Sequence, residues 1–410
     1  MGLNTYRPDD NSECFCFEGR IYRRDGIAYL GYTNSSVSVK ATTHTLLFYI
    51  FTGKNEPEND PSIRIYVNGN YLTDLILTGP GHATYHYEHC RGNEGSIASV
   101  RSVLTELTYE EMGESGVPEG LRAYMLALYG FDNKSACVTI LKHTEAAMSH
   151  VGLVRVECDG GELTGISEKD VVYCRRTGKL SDPDRDIGSV CDRRTRVEFI
   201  GDSITCGYGI HSPLSEENYT LWDEDGEDNY AAIMAKRMNW DARWISASGY
   251  GMYMNYEGDV AENIPKLYPY VNYFLDPGER IDPKEFEPEF IFINLGTNDS
   301  EHIGEGDNVS RFKESYEVFL KLLKEYHPDA KIICMIGTVC GTMFPYIEEA
   351  VSRVIAEGYT DIYTLELPYF KPESEGVADG HPTLTTHRKD AQRVLEFMKN
   401  KGLITESEEV

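Results

Sequence analysis

The chain has 410 residues, 41% of them hydrophobic, enough apolar material for the cores of two ordinary domains, which excludes disorder as a whole. Its 39 basic and 67 acidic side chains give a formal charge of -28 with no long basic block, a balance that argues against nucleic acid or an anionic bilayer as partner. No segment approaches the roughly 20 continuous apolar residues that span a membrane, and the opening MGLNTYRPDDNSECF places Asp9 and Asp10 where a signal peptide is apolar, so a cytoplasmic location is expected.

From about residue 17 to 190 the sequence is a series of short alternating runs broken by turn residues: SSVSVKA, HTLLFYIFTG, PSIRIYVNGNYLTDLIL, EGLRAYMLALYG, SACVTILKHT and VGLVRVECDGGEL. Alternation at period two, with Val, Ile, Tyr and Phe on one side and turns at Asn68-Gly69 and Asp159-Gly160, predicts half-buried antiparallel strands. Segment 98–115 reads equally as strand or helix, and no long amphipathic helix interrupts the pattern. The expected fold here is an antiparallel β-sandwich of the jelly-roll type. The polar stretch RRTGKLSDPDRDIGSVCDRR, poor in apolar periodicity, marks the end of this half and divides the chain into domains 1–185 and 186–410.

Beyond residue 195 the rhythm changes to strand then helix. RVEFIG, ARWISASG, FIFINLG, KIICMIG and DIYTLEL are nearly continuous apolar runs, and NYAAIMAKRMN, SRFKESYEVFLKLLKEY, YIEEAVSRVIAEG and AQRVLEFMKNKG have helical spacing. Strands apolar on both faces, alternating with helices, predict an α/β domain whose parallel sheet is covered on both sides.

Ligands of an open parallel sheet collect beyond the carboxyl ends of its strands. Those ends carry Gly201-Asp202-Ser203, then Ser248-Gly249-Tyr250-Gly251, then Gly296-Thr297-Asn298-Asp299, and finally Asp379-Gly380-His381-Pro382. Each alone is an ordinary capping turn. Together they hold what acyl transfer requires: a hydroxyl nucleophile, a base, an acid to orient the base, and amide donors for an oxyanion.

The blocks EFIGDSITCGYG, SGYG, LGTND and DGHP resemble those of the SGNH hydrolase superfamily. The wording of the first, preceded by a β-rich domain, is similar to carbohydrate esterase family 2. That resemblance implies a jelly roll joined to an SGNH hydrolase domain that removes O-acetyl groups from mannan, glucomannan or xylan oligosaccharides. It implies Ser203 as nucleophile and His381 as general base, with an oxyanion hole of the Ser203 N–H, the Gly249 N–H and the Asn298 amide. Asp379 is the candidate to orient His381; in some relatives a backbone carbonyl does so instead, leaving a Ser-His dyad. Gly380 departs from the family, where an aromatic often precedes the histidine. Tyr208, Trp222, Tyr250 and Phe344 are candidate sugar contacts, though each reads more readily as core packing or an incidental surface aromatic.

Other residues are read more plainly. Asp202 and Asp299 are expected to brace turns. His387, opening the last helix, is expected to be exposed or to cap. His82, His86, His89 and Cys90 have the spacing of metal ligands but no helix to align them, and Cys14 and Cys16 are only one residue apart, so no metal is expected. No phosphate loop is present, and cofactor-free hydrolysis is the simplest chemistry. The ten scattered cysteines fit reduced thiols. Two alternatives stay open: an SGNH esterase or thioesterase acting on lipid or small esters, and a carbohydrate-binding protein of little activity. The number of chains in the assembly is not fixed by the sequence.

Overall fold

The computed structural model describes residues 3–53, 59–78, 99–113, 120–131, 135–180, 194–212, 219–370 and 376–405. The chain divides into two compact units, Met1–Thr144 with Met148–Arg193, and Glu145–Ala147 with Arg194–Val410. The expected boundary at 185/186 falls outside the described residues.

In the first unit the strands run β1 (Leu3–Tyr6), β2 (Phe15–Glu18), β3 (Ile21–Arg24), β4 (Ile27–Leu30), β5 (Ser35–Thr42), β6 (Thr45–Thr52), β7 (Ser62–Val67), β8 (Asn70–Ile76), β9 (Arg101–Leu107), β10 (Arg122–Tyr129), β11 (Ser135–Lys142), β12 (Val151–Asp159) and β13 (Glu162–Thr164). They form two antiparallel sheets, β3-β4-β12-β6-β10-β9 with β1 beside β12, and β13-β5-β11-β7-β8 with β2 beside β5. Their inward faces share one core, with Val37, Ile63 and Val138 from one sheet and Phe48, Leu126 and Val156 from the other, so the unit is a β-sandwich. Asn68 and Gly69 both have positive φ, which closes the β7-β8 hairpin as its Asn-Gly sequence requires.

Two local features depart from expectation. Within the ambiguous segment 98–115 the described residues are both things in turn, strand β9 and then a single helical turn, Tyr109–Met112. A helix also spans Glu168–Thr177, fixed by a reciprocal Ser167/Asp170 capping box and by Gly178 in the left-handed region.

The second unit is built on a five-stranded parallel sheet, made of β14 (Arg196–Gly201), β15 (Asp241–Ser246), β18 (Phe290–Asn294), β19 (Lys331–Ile336) and β20 (Ile362–Glu366) in the order β15-β14-β18-β19-β20. A small antiparallel hairpin, β16 (Tyr270–Asn272) and β17 (Asp276–Arg280), lies in the sequence before β18. On one face helices Tyr230–Met238 and Leu384–Asn400 bury Met234, Met238, Val394 and Leu395 against Phe199, Trp244 and Phe292. Phe199 stacks on Phe292 with centroids 4.9 Å apart, and Trp240 and Trp244 tilt against the same ring. On the other face stand helices Asn308–Tyr326 and Phe344–Ala356, packed on each other. From β14 the chain turns to β15 on one side, then returns to β18 on the other. That reversal opens a crevice at the carboxyl ends of β14 and β18.

Candidate active site

Ser203 follows β14 through a turn that admits no side chain at Gly201, where a Cβ would lie 2.0 Å from the Thr205 hydroxyl. Asp202 is the N-cap of the short helix Ser203–Cys206, its Oδ1 accepting from the Ile204 N–H at 3.1 Å. Burial pushes the Asp202 carboxyl up to about 7, opposed by the Ile204 N–H, with the nearby Asp299 charge adding to the rise. Gly207 ends the helix at φ 89, pressed close to the Asp225 carbonyl.

His381 Nε2 stands 2.7 Å from Ser203 Oγ, and His381 Nδ1 stands 3.2 Å from the Ala378 carbonyl. A carbonyl can only accept, so Nδ1 carries the proton and Nε2 is left to accept from the serine hydroxyl. Burial lowers the His381 pKa to about 4, partly offset by the Ala378 carbonyl and the Asp379 charge. Asp379 adopts φ 51 in the turn Ala378–Gly380, and its Oδ2 accepts from the Tyr208 hydroxyl at 2.7 Å. The structure thus sets the Asp379 carboxylate on Tyr208 and a backbone carbonyl on the histidine.

Tyr208 itself is held between two rings. His381 stacks on it at 4.1 Å and Tyr219 at 3.6 Å, so near-parallel rings occupy both of its faces. A sugar finds no open face on Tyr208. Of the other three aromatic candidates, Trp222 is half-buried in the turn Leu221–Asp223. Tyr250 meets the ring of Phe274 edge-on and Phe344 opens the helix after β19.

The oxyanion candidates lie at the next two strand ends. Gly249 takes φ 80, and a Cβ there would lie 3.0 Å from the ring of Tyr256. Tyr256, 56% exposed, is an aromatic neighbour that sequence reasoning did not single out. The Asn298 amide donates to the Tyr250 carbonyl at 3.0 Å, which fixes its plane while the amide retains a second N–H. Buried Asp299 accepts from the N–H groups of Met252, Tyr253 and Met254, and thereby braces the loop after Gly249. Burial raises its pKa to about 6 against those same bonds.

Glu145 also escaped sequence reasoning. It is fully buried, belongs to the second unit, and accepts from the Ser248 N–H at 2.7 Å, one residue before Gly249. Its sequence setting, HTEAAM after strand β11, carries no signal for this role. His387, expected exposed or capping, is buried and takes the Tyr230 N–H on Nδ1 at 3.2 Å, which satisfies the first turn of another helix. His82, His86, His89 and Cys90 lie outside the described residues. Among the described residues one trio has metal-type donors close together, His211, Asp225 and Asp228, with His211 Nε2 2.9 Å from Asp225.

Residues 199–389 match the model of the GDSL-like Lipase/Acylhydrolase family. The second half of the chain thus carries a hydrolase domain of the GDSL-like type. The chain is 34% identical over 211 residues to the cellulase/esterase CelE of Acetivibrio thermocellus, a match covering 50% of the chain and 25% of that protein. The chain thus spans about a quarter of that relative's length. It is 26% identical over 248 residues to an acetylxylan esterase / glucomannan deacetylase of Cellvibrio japonicus, covering 58% of the chain and 68% of the relative. A family two carbohydrate esterase from Clostridium thermocellum, solved in complex with cellohexaose, superposes with a TM-score of 0.69 at 23% identity, over 94% of this chain and 98% of that one. The chain therefore has the two-domain fold of that family two carbohydrate esterase. No helix among its described residues is long and apolar enough to cross a membrane.

Proposed function

We propose that the protein is a carbohydrate esterase that removes O-acetyl groups from acetylated hemicellulose oligosaccharides by serine acyl transfer. The observation that carries this reading is the 2.7 Å contact of Ser203 Oγ with a His381 Nε2 whose ring is oriented from behind by a backbone carbonyl. In this mechanism Ser203 Oγ attacks the acetyl carbonyl while His381 Nε2 takes its proton. The oxyanion is received by the N–H groups of Ser203 and Gly249 and the Asn298 amide. Collapse expels the sugar oxygen, which takes the proton back from His381. Water, deprotonated by the same nitrogen, then attacks the acetyl-serine and releases acetate.

The reading is of a Ser203-His381 dyad, with Asp379 outside it. The names of the curated relatives support acetylated xylan or glucomannan as substrate class, and the charge of -28 suits a neutral sugar. A cytoplasmic setting accords with the free thiols at Cys158, Cys206 and Cys334, all buried.

The test is acetate release, followed by NMR, from acetylated manno- and xylo-oligosaccharides. Ser203→Ala is expected to lower it by at least about 1,000-fold, since removing a nucleophile disables the whole unit. Equal release by the variant would refute the mechanism. Activity that rises along aryl esters beyond butyrate would instead favour a lipid or small-ester hydrolase.

A further inference from the structure

In a serine-histidine-aspartate site the acid both holds the imidazole and stabilises the imidazolium that forms when the serine proton arrives. Here Nδ1 faces a neutral carbonyl, so the second task falls to something else. The rings of Tyr219, Tyr208 and His381 form a continuous stack, with centroid separations of 3.6 and 4.1 Å and interplanar angles of 11° and 27°. The stack is tied down at its polar edges. Tyr219 donates to Glu224 at 3.0 Å, Tyr208 donates to Asp379 at 2.7 Å, and His381 meets Ser203.

We infer that Tyr208 is the positioning residue of the acyl-transfer site, holding His381 in plane and stabilising its imidazolium through the ring face, with Asp379 acting on the histidine by way of the Tyr208 hydroxyl. An aromatic face attracts a cation through its quadrupole. A phenol that donates to a carboxylate has a more electron-rich ring, and Tyr208 stays a donor because burial and the Asp379 bond hold its pKa far above the ordinary tyrosine value. The charge of Asp379 thereby reaches the imidazole without touching it. Tyr208, itself confined between Tyr219 and His381, also fixes the tilt of His381, which the bond to the Ala378 carbonyl alone leaves free to rock.

This inference rests on the esterase reading, and the experiment separates the two. Steady-state kinetics on one acetylated oligosaccharide compare wild type, Tyr208→Leu, Tyr208→Phe, Asp379→Asn and the Tyr208→Phe/Asp379→Asn double variant, with Ser203→Ala as control. Expected are a fall in kcat of about 10- to 30-fold for Tyr208→Leu with KM within about threefold, and recovery of most of that loss in Tyr208→Phe. The double variant should lose at least about threefold less than the product of its two singles, because both break one link. Losses that multiply in full, or a Tyr208→Leu variant altered only in KM as a sugar platform would be, overturn the proposal.

A second measurement needs no substrate. In proton NMR the His381 ring protons should be shifted upfield by the Tyr208 ring current, a shift retained in Tyr208→Phe and lost in Tyr208→Leu. Absence of that shift in wild type overturns the stack even where Tyr208→Leu fails to fold. If wild type and Ser203→Ala are equally silent on every ester, the esterase reading fails while the spectrum still decides the stack.

Discussion

The proposed mechanism makes His381 a general base, which must be neutral to accept a proton, and burial lowers its pKa to about 4. The acid limb of kcat/KM is therefore expected near pH 4, well below the 6.5 of a free imidazole, and a pH-rate profile on a soluble acetyl ester checks it. A limb centred at 6.5 or above would mean that the imidazole is far more solvated than the structure has it. Stability depends on the same kind of buried group, with opposed signs. His381 and His387, lowered to about 4 and about 3, are protonated first in the unfolded chain, so the stability they contribute is lost as pH falls below 6.5. Asp202 and Asp299, raised to about 7 and about 6, hold protons first in the folded chain, so their contribution is lost as pH climbs from about 4 to 7. The convergence of Ser203 and His381, in contact at 2.7 Å, was legible because residue type and strand-end position agree. The direction of the Asp379 carboxylate was not, because proximity in sequence says nothing of direction: at φ 51 the turn carries it to Tyr208.

At the scale of elements, the loop after β15 depends on one carboxylate. Asp299→Ala would strip the Met252, Tyr253 and Met254 N–H groups of their acceptor, and each donor left unsatisfied costs about 1–3 kcal/mol. A destabilisation of about 3 kcal/mol or more is expected in urea unfolding, with a smaller loss for Asp299→Asn, whose single oxygen still accepts. The bond set also explains Gly251, where a Cβ would lie 2.3 Å from Asp299 Oδ2. The parallel strands were readable from their double-sided apolarity, and the sandwich strands from alternation. Helix Glu168–Thr177 was missed because its signal lies in its caps, Ser167, Asp170 and Gly178, rather than in a long apolar stripe. The β16-β17 hairpin was missed because it is short and, along β17, mostly exposed.

At the scale of the whole molecule, the second unit is discontinuous in sequence. Residues 145–147 belong to it although they lie between β11 and β12 of the sandwich. Lys142 Nζ, itself buried, donates to the Thr144 carbonyl at 2.6 Å and so fixes the chain immediately ahead of Glu145. A fragment of residues 194–410 alone would lack the acceptor for the Ser248 N–H. We expect it to melt below the full chain and to turn over at least about tenfold more slowly, given about 1.5–3 kcal/mol for a hydrogen bond to a charged group. Glu145→Ala in the full chain should reproduce the loss in turnover. Full activity in the fragment would show that Glu145 has no part in shaping the oxyanion loop. No sequence pattern announces such a residue, because its partner is a backbone N–H 103 positions away.

The aromatic cluster around Phe199 has a spectroscopic corollary. All three tryptophans of the chain, Trp222, Trp240 and Trp244, fall in the second unit, and two of them are packed beside that ring. Intrinsic tryptophan emission therefore watches the hydrolase half alone, and melting of the tryptophan-free sandwich passes unseen by it. Far-UV circular dichroism sees both, so the gap between the two curves measures how far one half can come apart while the other stays folded.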